Sequence, residues 1–256
     1  MSNVELKWSK YFFEKSSGSP CIIHINSIGL FRLGKNNDER ISVFEKIIKS
    51  SISIGSTIIF PVFSYSFTKG EKYNRLESVS DTDLVSEILR KRNPRLRTID
   101  PNFSYLVFGN SISQKHFNLC NYNSFGKGSL IEEVFSKRGY LCAIGGVVNT
   151  FTEVHYIEKL LKVPYRKDKE FKGTHIDENN QENVQSVVYF CRDYAYSLRA
   201  NASLMAEELR SENKIEIWKL PDIDFTVEAI KIYDLYMFIK KKLEVGRKVD
   251  VYFSFN

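Results

Sequence analysis

Residues 21–61 join two short apolar runs through a turn-rich loop and an amphipathic stretch. The first run is CIIH. In the stretch that follows, Ile41, Phe44, Ile47 and Ile48 recur at helical spacing and therefore share one face. Gly55 opens the second run, residues 56–60, and Pro61 halts it, because proline removes a backbone donor. Strand, helix and strand in that order form the unit from which layered α/β domains are built.

The rest of the chain repeats these signals. Residues 83–92 read as a helix with Leu84, Ile88 and Leu89 inward, ended by Asn93 and Pro94. Ser129 and Glu132 form a capping box that starts another, and Gly139 ends it before a strand over 140–144. A helix begins near Thr152 and ends before Pro164. The charged stretch 167–183 reads as an exposed loop leading to a strand over 184–190. Helix 202–212, strand 214–220 and helix 227–243 follow, the last with Ile232, Leu235, Tyr236, Ile239 and Leu243 at helical spacing. The expectation is one domain over residues 1–256, with a motif-bearing core over 21–166 and a portion over 167–256 that completes the fold.

Of its 256 residues 43% are hydrophobic, enough for a substantial core. Apolar runs such as YLCAIGGVV are far shorter than the roughly 20 residues of a membrane helix, and the N-terminal stretch lacks a signal-peptide core, so a soluble cytoplasmic protein is expected. Cys21, Cys120, Cys142 and Cys191 form no CxxC pair, which argues against a zinc ribbon or redox motif. The net charge of +6 is spread over patches at 91–97, 166–172 and 239–248. It favours anionic partners, and without a nucleic-acid module these are phosphorylated small molecules rather than nucleic acid.

The chain has four histidines, and one sits in TEVHYIE, residues 152–158. Thr152 is placed to cap a helix, which puts His155 in its first turn, where the positive end of the helix dipole disfavours imidazolium. A neutral imidazole accepts a proton. Glu158 lies one turn along the same face, positioned to hydrogen-bond one ring nitrogen and hold its tautomer. HxxE lacks the second histidine of HExxH, so no metal is expected. Three weaker segments stand at strand ends: HINSIG (24–29), whose small residues free backbone amides for phosphates; FPVFSYSF (60–67), with Tyr65; and RTIDPNFS (97–104).

Taken together, HINSIG, GSTIIFP, RTIDPNFS, GKGSL and TEVHYIE resemble, in order, the motifs of the aminoglycoside 3-N-acetyltransferase-like family of acyl-CoA-dependent N-acyltransferases. The resemblance runs from about residue 21 to 166. It implies a three-layer α/β/α sandwich with a mixed central sheet, and an acyl-CoA co-substrate used without a metal. It also implies direct acyl transfer to an amine, with His155 as base and Glu158 as its orienter. Asn26, Ser27, Ile28 and Gly29 would hold the cofactor, and Thr152 or Ser104 would face the thioester oxygen. The family's His-Pro is Asp100 and Pro101 here, so a carboxylate stands where the family has a histidine; Asp100 is expected to meet the incoming ammonium or to share in removing its proton.

Charge selects among acceptors. Aminoglycosides are polycations, and a site for them should be lined with carboxylates, which the C-terminal third does not gather. The expectation is therefore a nucleotide-linked amino sugar of surface polysaccharide biosynthesis, with Tyr65 and Arg97 as substrate contacts. An aminoglycoside acceptor, or a non-catalytic binding protein on the same fold, is the alternative.

Overall fold

The computed structural model describes residues 3–118, 123–146, 148–195, 198–200, 202–219, 225–244 and 253–255; Cys120 lies outside them. In chain order the elements are α1 (Asn3–Ser16), β1 (Cys21–Ile25), α2 (Asn37–Ser53), β2 (Ile58–Pro61), β3 (Tyr73–Asn74), α3 (Leu84–Arg92), β4 (Tyr105–Phe108), α4 (Lys115–Asn118), α5 (Leu130–Ser136) and β5 (Tyr140–Ile144). There follow α6 (Val154–Leu160), β6 (Arg166–Ile176), β7 (Glu182–Arg192), β8 (Leu198–Ala200), α7 (Ala202–Ser211), β9 (Glu216–Lys219), β10 (Thr226–Lys231), α8 (Ile232–Glu244) and β11 (Phe253–Phe255).

Six strands form a mixed sheet in the order β4-β2-β1-β5-β10-β9. β1 runs parallel to β2 and β5, while β4, β10 and β9 join antiparallel. Every residue of β1, β2, β4 and β5 is buried, as expected of strands covered on both faces. Strand alternation then divides the core in two. Cys21, Ile23 and Ile25 of β1 face Phe44, Ile47 and Ile48 of α2, Val85 and Leu89 of α3, and Trp8 and Phe12 of α1. Ile22 faces the opposite layer, built from α5, α6, α7 and α8. This is the α/β/α sandwich that the motifs imply.

Three local readings are corrected. Leu84 is exposed, and Val85 with Leu89 makes the buried face of α3, because Asp83 caps the helix with its side chain on the Ser86 amide. Residues 226–231 are strand β10 rather than the start of the last helix; pairing with β5 overrides the helical pattern, and α8 begins only at Ile232. Residues 167–176 are not a loop. They are part of β6, which pairs with β7 over eleven residues and with β3, making a second, three-stranded sheet.

Candidate active site

A cavity of about 880 Å³ opens beside the first turn of α6. Its lining includes Tyr65, Thr150, Thr152 and His155 from the core and Arg166, Lys169 and Tyr189 from the hairpin. The chain reaches it from β5 through Gly145 and Gly146, whose φ values of 85° and 78° favour glycine, and a single 3-10 turn, Val148–Thr150.

His155 forms a triangle of rings with Phe125 and Tyr189, at centroid separations of 5.4 and 6.4 Å from them. Its Nδ1 lies 2.9 Å from Glu158 Oε2. With the carboxylate ionised, Nδ1–H donates and Nε2 is the basic nitrogen. Burial pushes the imidazole below its ordinary pKa, against the pull of Glu158, and Arg166 adds to the depression. The neutral ring is thus the resting form near pH 7.

Glu158 is 1% exposed. Its Oε2 also ion-pairs with Arg166 Nε at 2.7 Å, and its Oε1 accepts from the Tyr165 hydroxyl at 3.0 Å. Burial alone would raise this carboxyl; the contacts from His155, Arg166 and Tyr165 hold it below its ordinary value. Three groups therefore keep Glu158 ionised and immobile. No local sequence signal marks Arg166 or Tyr165 as partners of Glu158, since each reaches it only after the chain has turned beyond Pro164.

A second histidine–glutamate pair lies behind the cavity wall. His24 Nε2 and Glu153 Oε2 are 2.8 Å apart, and the Tyr105 hydroxyl donates to Glu153 Oε1 at 2.9 Å. Burial would raise Glu153, but His24 and Tyr105 hold it low. Glu153 occupies the N-cap position of α6 with no side-chain cap bond, because its carboxylate turns inward to His24. Thr152 is accordingly not the N-cap. Its carbonyl accepts from the His155 amide at 3.0 Å, its hydroxyl donates to the Thr150 carbonyl at 3.4 Å, and it lines the cavity.

Of the other expected site residues, Tyr65 lines the cavity, with φ at 53° and its phenol pushed up to about 12 by burial. Ile28 and Gly29 edge a second cavity of about 610 Å³ together with Phe31, Arg32 and Gly146. Asn26 shapes that edge by accepting from the Ile28 amide at 3.1 Å, and Ser27 opens the 3-10 turn beside it.

Asp100, Ser104 and Arg97 line neither of these two cavities. Asp100 is buried and accepts from the Asn102 and Phe103 amides, both at 2.9 Å, so its carboxylate stabilises a turn. Ser104 and Arg97 are wholly buried and bound to each other at 2.9 Å. The Ser104 hydroxyl also donates to the Val62 carbonyl, and the Arg97 guanidinium to the carbonyls of Val62 and Ser78. Backbone carbonyls consume the donors expected to meet substrate.

The family model described as aminoglycoside 3-N-acetyltransferase matches residues 57–223, well over half the chain. No curated protein matches it. Among solved structures, the chain is similar to the YokD protein from Bacillus subtilis at 14% identity, with 93% of this chain and 92% of that one covered and a TM-score of 0.68. It is similar to AAC-IIIb in binary complex with CoASH at 14% identity, 94% and 96% coverage and a TM-score of 0.71. To sisomicin-bound AAC-VIa the figures are 14%, 94% and 98%, and 0.71. At such identities the structures establish a shared fold. The family match goes further: this chain belongs to the aminoglycoside 3-N-acetyltransferase family.

Proposed function

We propose that this acyl-CoA-dependent N-acyltransferase carries out its reaction in the larger cavity, with His155 as general base. The amine nitrogen attacks the thioester carbonyl carbon while Nε2 of His155 takes an amine proton. The tetrahedral intermediate then collapses, the C–S bond breaks, and the proton passes to the departing CoA thiolate. Glu158 positions the ring and offsets the imidazolium that forms transiently. The contact between His155 and Glu158 carries this reading. Thr152, on the same wall, would donate to the developing oxyanion by turning its hydroxyl away from the Thr150 carbonyl. Residues 26–29 and the 610 Å³ cavity beside them would receive acyl-CoA.

The acceptor that family membership supports is an aminoglycoside amine. AAC-IIIb with CoASH and AAC-VIa with sisomicin share the fold that would present both substrates. A nucleotide-linked amino sugar is the second reading, favoured by the basic side chains on the hairpin wall.

Thiol release from acetyl-CoA in the presence of an amine tests the proposal. His155→Ala and His155→Gln should each lower kcat by about a hundredfold or more with unfolding unchanged, the usual scale for a lost general base. Turnover within about threefold of wild type would remove His155 from the mechanism, since a general base contributes far more than that.

A further inference from the structure

Acylation of an ammonium releases two protons from nitrogen, because the amide keeps only one of its three hydrogens. His155 carries one of them to the departing thiolate, and the other needs a separate acceptor. A second imidazole stands behind the same cavity wall. Ile23 and Ile25 of β1 face the α2 layer, so His24 between them points into the layer that holds α6. Its Nε2 lies 2.8 Å from Glu153 Oε2, and its Nδ1 lies 3.5 Å from the Oγ1 of Thr150, an exposed residue that lines the larger cavity. Burial would raise Glu153, yet its contacts to His24 and Tyr105 keep it ionised, so Nε2–H donates to it and Nδ1 is left as an acceptor. The Thr150 hydroxyl then donates inward to Nδ1, and the lone pairs of its oxygen can accept an N–H from the cavity. The Phe151 ring backs the imidazole edge-on at 5.3 Å between centroids, and Asp83 at the cap of α3 is a further carboxylate whose charge interacts with His24.

We propose that Thr150 meets the acceptor's ammonium and that His24, acting through Thr150, takes the proton that His155 does not. The ammonium gives a proton to Thr150 Oγ1 as the hydroxyl's own proton passes to Nδ1 of His24. This leaves a neutral amine, whose lone pair can attack the thioester, and a His24 imidazolium whose charge Glu153 balances. His155 then removes the second proton during attack and delivers it to the thiolate. The proton on His24 returns by the same path to solvent once the amide has left, so the enzyme is regenerated and one proton is released per turnover. The 3.5 Å contact is long, as catalytic hydrogen bonds commonly are before substrate is seated. The inference rests on the larger cavity being the site of acyl transfer, and it applies to any amine acceptor that arrives charged.

Thr150→Val removes the hydroxyl from an exposed position with little change in volume. The test is kcat/KM for the acceptor, followed by thiol release from acetyl-CoA, with kanamycin and with glucosamine across a pH series. An aliphatic amine titrating at about 8–10 is neutral in about a tenth of its molecules or fewer at pH 7. Without the relay only that fraction reacts, so the variant should fall about tenfold or more below wild type at pH 7 and approach it as pH rises through the amine's own pKa. The variant's acid limb should follow the basicity of each acceptor, while the wild-type limb follows the histidines and is common to both. Thr150→Ser should restore the wild-type profile. His24→Gln, whose amide still donates to Glu153, should copy Thr150→Val. A Thr150→Val enzyme that matches wild type at every pH, or that is depressed equally at every pH, would overturn the inference. Independently of turnover, nitrogen NMR of the imidazoles at pH 7 should show His24 protonated at Nε2 and bare at Nδ1. That tautomer upholds the acceptor role, and a protonated Nδ1 overturns it. Full turnover by His155→Ala would instead bring down the catalytic reading and leave the Thr150 comparison standing.

Discussion

Arg166→Gln isolates the part that the hairpin plays in the chemistry. Arg166 is 9% exposed and its Nε lies 2.7 Å from a Glu158 oxygen that is also 2.9 Å from His155 Nδ1. Removing one partner of a buried ion pair costs about 3–5 kcal/mol. Glu158 keeps its bonds from His155 and Tyr165, each charge-assisted contact contributing about 1.5–3 kcal/mol, which limits the loss. A net destabilisation of about 2–3 kcal/mol follows, or roughly 5–10 °C in Tm for a chain of this size. The rate effect has a defined sign. His155 is held below its ordinary value of 6.5 by burial, with Arg166 contributing, so loss of the guanidinium raises it. The acid limb of kcat/KM, which reports the free base, should therefore move to higher pH, and the variant should lose more activity at pH 6 than at pH 8. Glu158 moves the same way. Its depressed pKa gives stability that is present above the unfolded value and lost as pH falls through the folded one, and in the variant that loss begins at higher pH. A pH–rate profile and thermal unfolding across pH measure both. An unmoved acid limb together with a Tm within about 1 °C of wild type would refute the reasoning, since removing one partner of a buried pair cannot be that cheap.

Three further outcomes are expected. Asp100→Ala strips the Asn102 and Phe103 amides of their acceptor and should cost about 2–4 kcal/mol in urea unfolding while leaving the KM for acyl-CoA near wild type; a large fall in kcat with a stable fold would show that Asp100 does reach the reacting atoms. Gly29→Ala places a Cβ 2.5 Å from Ile144 Cγ2 and 2.6 Å from the Gly145 amide nitrogen, so the loop must shift at a cost of about 1–3 kcal/mol. A raised KM for acyl-CoA is the expected readout, and an unchanged one would take this loop out of cofactor binding. Glu153→Gln should lose about 1.5–3 kcal/mol near pH 7 through its weakened bonds to His24 and Tyr105. Because burial is outweighed and Glu153 is held below its ordinary value, the gap from wild type should close as pH falls through the folded value; a gap constant down to pH 3 would contradict an ionised Glu153.

The features legible along the chain rest on local geometry. His155 and Glu158 are three residues apart, so any helix over them brings the two side chains together, and the structure holds them at 2.9 Å. The unit over residues 21–61 was legible because apolar periodicity and the punctuation by Gly55 and Pro61 are local signals. Tertiary structure decided the rest. RKDKEFK lacks the apolar alternation that marks a strand, so it reads as a loop; only its eleven-residue pairing with β7 makes it a strand and brings Arg166, Lys167 and Lys169 to the cavity. Arg97, Asp100 and Ser104 stand in the motif order expected of site residues. Whether a polar side chain faces a ligand or a backbone group depends on which carbonyls and amides the fold brings beside it, and here Val62, Ser78, Asn102 and Phe103 take them all. Arg166 shows the converse. It is one cation in a charged run until the turn after Pro164 folds it back onto Glu158, where burial makes a single ion pair decisive.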